Sequence, residues 1–308
     1  ARPIEELIKH LEENGNKNLN AASSQIDSFS SQDWAGYSNK EKDEILMNYR
    51  LAYLKIGYVN WCEALGTVLA NDEVKDGLSE RGGHPVERRA MQQWSLRITA
   101  YGQRLLSGLD KLEWSDALKT MQKNWIGRSE GAQVFFNIDD HSDQIEVFTT
   151  RPDTIYGATF MVLAPEHDLV AQLITKTQEK EIGEYQEYVS SRSDRERMTD
   201  VKKVTGAFTG SYAINPFTQK KIPIYIAEYV LKDYGTGAIM AVPSDDDRDN
   251  RFAEKFNIEI TQVIDKSDFP NASIGDKIGK LINSGEFNGM QVKEAIPKMF
   301  DELESKNI

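Results

Sequence analysis

Near Trp125 the hydrophobic repeat of this chain changes from helical spacing to strand alternation, so no uniform architecture accommodates both sides of that point. Before it, residues 3–14 read as a short amphipathic helix. Residues 41–55 (EKDEILMNYRLAYLK) place Ile45, Leu46, Tyr49, Leu51, Ala52 and Leu54 at helical spacing. Residues 96–106 and 115–124 resume that spacing, while the Asn- and Ser-rich stretch 15–32 and the turn Arg81-Gly82-Gly83 interrupt it. After it, 132–138 (AQVFFNI) and 144–150 (QIEVFTT) carry β-branched and aromatic residues on either side of an Asp-rich turn, DDHSD. Residues 160–163, 222–230 and 238–242 read as further strands, and 166–175, 178–190, 247–256 and 292–304 as helices. Strands interleaved with helices in this way predict a mixed α/β domain built on a sheet or barrel. The expected boundary separates a helical segment, 1–125, from a second domain, 126–308.

Composition narrows the function classes. A chain of 308 residues, 39% hydrophobic and 28% charged, suits a soluble globular protein with a real core. No apolar run reaches the roughly 18 residues of a spanning helix. The opening residues, ARPIEELIKHLEENG, do not follow the charged-then-apolar order of a signal peptide. Without an initiator Met and opening within a helix, the chain is expected to be a piece of something longer. Its net charge of −12 lacks the basic footprint of general nucleic-acid binding, so any RNA contact must be local. Cys62 is the only cysteine, which rules out an internal disulfide and fits a reducing, cytoplasmic setting.

The stretch from Trp61-Cys62 to Gly83-His84 has the layout of a small zinc-ribbon-like module. A tetrahedral Zn²⁺ site needs two pairs of ligands, and only Cys62 and His84 are available. The expectation is a metal-free remnant held by packing of Trp61 and Leu69.

Two later segments carry chemistry. In Thr149-Thr150-Arg151-Pro152-Asp153-Thr154, Pro152 removes a backbone donor and biases Arg151 away from helical geometry, so a strand ends in a fixed loop. Hydroxyls can hold water or an ester oxygen, and the Arg151 fork can grip a phosphate. The same residues would equally serve a loop that caps its own backbone. In 235–249 (GTGAIMAVPSDDDRD), the two glycines do not form a nucleotide-binding fingerprint. Ser244, Asp245, Asp246, Asp247 and Asp249 then crowd a helix start, where carboxylates are favoured by the dipole. They suit the capture of a substrate ammonium, or simple capping. A calcium loop would need Gly and Glu where Asn250 and Phe256 stand. None of the four histidines shares a motif with Ser or Cys, so a catalytic triad has no support.

Taken in order, MNYRLAYLKIGYVNWCEALGTVLANDEVKDG, MQQWSLRITAYGQRLL, NWIGRSEGA, FTTRPDTIYGATFMVLAPEH, TGAFTGSYAINPFT and YGTGAIMAVP…DRD resemble the connective editing insertion of leucyl-tRNA synthetases. The resemblance covers most of the chain. TTRPDT together with AVPxxDxRD points to the leucyl type over its isoleucyl and valyl relatives, in the bacterial variety without zinc ligands. Asp245 departs from the family, where His usually precedes the first Asp of the acidic motif, and places an extra negative charge at the pocket mouth. The HIGH-type and KMSKS-type signatures of the aminoacylation site are absent, so the chain is not expected to activate leucine.

The resemblance implies a barrel-like editing domain flanked by helices that hydrolyses mischarged tRNA(Leu). One methylene in an apolar pocket discriminates by only about 1–3 kcal/mol, so rejecting norvaline or isoleucine calls for a second site. By resemblance, Thr149, Thr150, Asp246 and Asp249 would be the catalytic set. Asp249 would bind the α-ammonium with Asp246 nearby, and Thr149 and Thr150 would line the ester and its water. On the substrate-binding side stand Arg151, Asp153, Thr154, Tyr156, Met240, Val242 and Asp245, with Thr154 as the gate against leucine. No metal or cofactor is implied here, ATP and Mg belonging to the parent's synthetic site. The implied partners are the aminoacylated 3′ end of tRNA(Leu) and the remainder of the synthetase; a monomer with no membrane association is expected. The competing readings are a non-catalytic tRNA- or protein-docking module and a metal-dependent hydrolase.

Overall fold

The computed structural model describes residues 3–23, 26–190, 192, 196–197, 203–232, 234–306 and 308. In chain order, α1 (Ile4–Asn14), α2 (Ser31–Gly36) and α3 (Asn39–Met47) precede β1 (Ala52–Cys62), β2 (Thr67–Leu69), β3 (Val74–Lys75), β4 (Leu78–Ser79) and β5 (Glu87–Leu96), and α4 (Gly102–Leu109) and α5 (Asp116–Ile126) follow. The chain divides into two compact units, residues 1–58 with 90–128 and residues 59–89 with 129–308.

In the first unit, Ser30 and Ser38 start α2 and α3 through reciprocal capping boxes with Asp33 and Glu41. Leu11, Phe29, Trp34 and Leu46 form its small core. The helix expected over 41–55 stops at Met47, and Ala52 to Lys55 belong to β1, which is rich in aromatic and β-branched residues that suit pairing in the β2-β1-β5 sheet. The helix expected from Leu96 begins only at Gly102, after a 3-10 turn over Ile98–Tyr101.

In the second unit, residues 59–89, the stretch expected to have a zinc-ribbon-like layout, hold the end of β1, the short strands β2, β3 and β4 and the start of β5. Cys62 is fully buried at the end of β1, paired with Thr67 of β2. The knuckle at His84 is closed by hydrogen bonds from the His84 amide to Ser79 Oγ (2.9 Å) and from the Ser79 amide to the His84 carbonyl (2.8 Å). Among the described residues no three His, Cys, Asp or Glu side chains converge as metal ligands.

The remainder of this unit is a mixed α/β domain. Its elements are β6 (Ala132–Ile138), β7 (Gln144–Thr149), β8 (Phe160–Leu163), α6 (Val170–Leu173), α7 (Glu179–Ser190), β9 (Ala207–Ile214), β10 (Lys221–Ile226), β11 (Ala238–Ala241), α8 (Asp247–Phe256), β12 (Ile264–Asp265), β13 (Lys280–Leu281) and α9 (Val292–Lys306). Six strands form one sheet in the order β11-β8-β10-β9-β6-β7, with β8 and β10 parallel and the other pairings antiparallel. Its terminal strands β11 and β7 approach each other, so the sheet is a nearly closed barrel flanked by helices.

Strand β8 is buried at every position because both faces of the sheet are covered. Met161 and Leu163 join one apolar cluster with Val134, Phe136, Ile145 and Ile224, while Phe160 and Val162 join another on the opposite face with Phe252. Phe160 stacks on Phe252 of α8 with ring centres 5.1 Å apart. The helix expected over 166–175 shrinks to the four residues of α6, and the strand expected to reach residue 230 ends at Ile226. Strand β9, which periodicity does not signal, contains Gly210 at φ +91°; a Cβ there would collide with Thr175. Among the described residues no helix is long and apolar enough to cross a membrane.

Candidate functional site

Strand β7 ends at Thr149, and Pro152 then opens a 3-10 turn over Pro152–Gly157. The residue before this proline, Arg151, takes φ −128°, outside helical geometry, as the proline demands. The turn is fastened by its own side chains. Thr149 Oγ1 accepts a bond from the Arg151 amide (3.0 Å), and Thr154 Oγ1 donates to the Arg151 carbonyl (3.0 Å). Asp153, wholly buried, receives Arg151 Nε (3.0 and 3.1 Å to its two oxygens) and Nη2 (2.8 Å). Thus the self-capping reading of this loop is correct for part of the motif. The two threonines are not equivalent: Thr149 accepts and keeps its own O–H free, whereas Thr154 spends its O–H on the backbone.

Helix α8 supplies the facing wall. Asp246 is its N-cap, accepting from the amides of Arg248 (2.9 Å) and Asp249 (3.0 Å). Asp249, Phe252 and Ala253 are all buried, at the i, i+3, i+4 spacing of one helical face, so a carboxylate sits on the stripe that packs against the sheet. Asp249 Oδ2 accepts the Val242 amide at 2.9 Å, while Oδ1 is buried without a hydrogen bond. Burial pushes the Asp249 carboxyl up to about 7; the charge of Asp246 adds to this, and Arg248 and the Val242 amide oppose it. Asp245 is also buried, bonded by Ser244 Oγ (2.8 Å) and paired with Lys266 Nζ at 3.0 Å. The extra charge at the family's His position is therefore matched by a lysine. Lys266 Nζ also reaches the carbonyls of Ser273 and Ile274, and Arg151 Nη1 donates to the Gly275 carbonyl (3.1 Å), which pins that segment beside the site.

Between these walls lies a cavity of about 370 Å³ at the seam where β7 and β11 meet. It brings together Thr149, Arg151, Thr154, Met240, Val242, Asp245, Asp246 and Asp249. Three residues of the sequence-derived set do not line it. Thr150 is half-buried beside the turn, Asp153 lies beneath it as the partner of Arg151, and Tyr156 packs against Phe217 (5.1 Å) and Phe287 (6.4 Å) and lines a different cavity. The sequence reading missed Phe148, Ile239, Arg248, Gly275 and Lys277 in the wall. Phe148 and Ile239 were discoverable as strand neighbours of motif residues, but Gly275 and Lys277 come from a turn-rich segment without any motif.

Fold and cavity together define a barrel-like domain with a slot between a hydroxyl wall and a carboxylate wall. The model of the family described as "Leucyl-tRNA synthetase, editing domain" matches residues 123–304, and the chain belongs to that family. It is 52% identical to the leucine–tRNA ligase of Bacteroides thetaiotaomicron over 318 aligned residues, covering 100% of this chain and 34% of that protein. It is also 52% identical to the leucine–tRNA ligase of Parabacteroides distasonis, over 96% of this chain and 32% of that protein. A LeuRS of Agrobacterium radiobacter K84, solved as a ternary complex with tRNA and LeuAMS, superposes with a TM-score of 0.60 at 33% identity, covering 83% of this chain and 29% of that one. The chain spans about a third of the length of the two ligases.

Proposed function

We propose that the cavity hydrolyses the ester linking a non-cognate amino acid, norvaline or isoleucine, to the 3′ end of tRNA(Leu), and that the intact protein is a leucine–tRNA ligase acting in the cytoplasm. The observation that carries this reading is Asp249, a buried carboxylate with one oxygen lacking a hydrogen bond, set across a slot from the hydroxyls of Thr149 and Thr154. An unpaired buried acceptor is costly, and an incoming α-ammonium supplies the missing partner.

In this mechanism Asp249 holds the ammonium and Asp246 fixes the helix end that presents it. The free O–H of Thr149 donates to the ester carbonyl or its water, with Thr150 supporting the turn. Water adds to the carbonyl carbon, the bond to the ribose oxygen breaks, and a proton passes from that water to the departing oxygen. Orientation and charge stabilisation supply the acceleration. With its hydroxyl tied to Arg151, Thr154 has a fixed rotamer, which suits steric exclusion of leucine more than proton transfer. Arg151 and Lys277 offer cations to the RNA backbone, while Met240 and Val242 shape the side-chain wall. Asp153 acts through Arg151. No metal or cofactor enters this step, and the chain acts as a monomer with the tRNA end as its partner.

The test is deacylation of norvalyl- and isoleucyl-tRNA(Leu) by this chain and by Asp249→Ala, with and without a chelator. The expected outcome is release of the amino acid by the native chain, none by the variant, and no chelator effect. Turnover by Asp249→Ala at the native rate would remove the ammonium anchor, and loss of activity with chelator would favour the metal-dependent hydrolase.

A further inference from the structure

Arg248 stands in the wall between two cavities, the slot just described and an apolar one of about 330 Å³ lined also by Tyr229, Val230 and Leu231. Its guanidinium carbon lies 4.4 Å from the centre of the Tyr229 ring, and its Nε is 3.8 Å from Asp249 Oδ1. Neither that Nε nor that oxygen forms a hydrogen bond, although both are buried. The cation is thus close enough to balance the carboxylate and too far to occupy it. The Tyr229 ring is itself held edge-on against Phe252 of the core, at 6.0 Å and 77°. Its hydroxyl is buried without a hydrogen-bond partner, and it is the ring that meets Arg248 and Phe252.

Resting on the reading of Asp249 as ammonium anchor, we propose that Tyr229 is a positioning residue whose ring holds the Arg248 guanidinium off Asp249, keeping Oδ1 open for the substrate ammonium. Without that platform the flexible Arg248 side chain closes on Asp249 and forms the charge-assisted pair that the ammonium would otherwise make. Substrate would then compete with an internal cation, a loss that appears in binding more than in the chemical step.

The test uses this chain and a norvaline ester of adenosine, with KM, kcat and the pH profile measured for Tyr229→Phe, Tyr229→Leu and Arg248→Gln. Charged groups facing Asp249 are Asp246 and Arg248 on α8, with Arg151, Lys277 and the Asp245–Lys266 pair around the slot. Tyr229→Phe keeps the platform and is expected to match the native chain. Tyr229→Leu is expected to raise KM about three- to fivefold with little change in kcat, in line with a cation–π contact made by a partly exposed arginine. Its acid limb should move to lower pH, because a closer Arg248 favours the ionised carboxylate. Arg248→Gln leaves the core packing untouched and should move that limb to higher pH, which keeps the idea testable if Tyr229→Leu fails to fold. Native KM and acid limb in Tyr229→Leu, equal damage in Tyr229→Phe, or an unmoved limb in Arg248→Gln would each overturn the proposal. If Asp249→Ala alone abolishes hydrolysis while these variants behave as native, the anchor stands and only the role of Tyr229 falls.

Discussion

Replacing Asp249 by asparagine removes a charge from a place where holding it is costly, while the shape and the bond from the Val242 amide are retained. The carboxyl rises from an ordinary 3.8 to about 7 in the folded protein. At about 1.4 kcal/mol per unit, the ionised form costs the fold on the order of 4 kcal/mol relative to the protonated one. A raised carboxyl contributes stability that is fully present below the unfolded value near 4 and is lost as pH rises through about 7. The native chain should therefore lose on the order of 2–3 kcal/mol between about pH 5 and pH 8 from this group, and Asp249→Asn should lose none of it. At pH 8, where the full cost of about 4 kcal/mol applies, the variant's second unit should melt roughly 8–16 °C above the native one, with the gap narrowing to roughly 3–7 °C at pH 5. Thermal melts followed by circular dichroism at the two pH values, paired with deacylation of norvalyl-tRNA, measure both effects. A variant no more stable at pH 8, or one whose advantage does not shrink on acidification, would refute the reasoning about burial. A more stable variant that still edits would refute the role assigned to the charge.

Three further outcomes are expected. Thr154→Ala should release leucine from Leu-tRNA(Leu), with the native chain expected to spare it; an unchanged preference would remove Thr154 as the gate. Asp153→Asn leaves Arg151 without its buried partner and should lower stability by about 2–4 kcal/mol in urea titrations while raising KM, since Arg151 also grips the Gly275 carbonyl. Lys266→Met strands the buried Asp245 carboxylate, and a loss of about 3 kcal/mol is expected together with faster amide exchange over residues 273–277. Native exchange rates there would show that Lys266 does not pin the segment.

The parts of this fold legible in the sequence are those where local preference and burial agree. Strand β8 is a continuous apolar run, and α8 begins at an Asp cap and ends at Asn257, which adopts the left-handed conformation of a helix stop at φ 53°. Residues 52–55 failed because their apolar spacing also fits a helix, and pairing with distant strands decided the matter. Strand β9 was hidden by Gly210, whose place depends on the close approach of Thr175. At the site, the two motif walls were readable, but the division of labour within them was not. Spacing gives no sign that Thr149 accepts while Thr154 donates, or that Asp246 caps the helix while Asp249 faces inward. The burial of Asp249 was available in principle, since it lies on the same stripe as Phe252 and Ala253. Lys266, which offsets Asp245, lies 21 residues beyond it, and nothing local announces the pair.

The near-closure of the sheet between β7 and β11 carries a consequence of its own. Each of these strands is hydrogen-bonded on one side only, so the barrel is completed there by side chains and not by a ladder. Unpaired strand edges invite association with foreign chains, and here each edge shelters the other. The gap can also widen or narrow without unzipping any backbone bonds. The cavity sits in that gap, with Phe148 and Thr149 on one edge and Ile239 and Met240 on the other, so a change of side chain there reshapes the slot while the hoop of hydrogen-bonded strands stays intact.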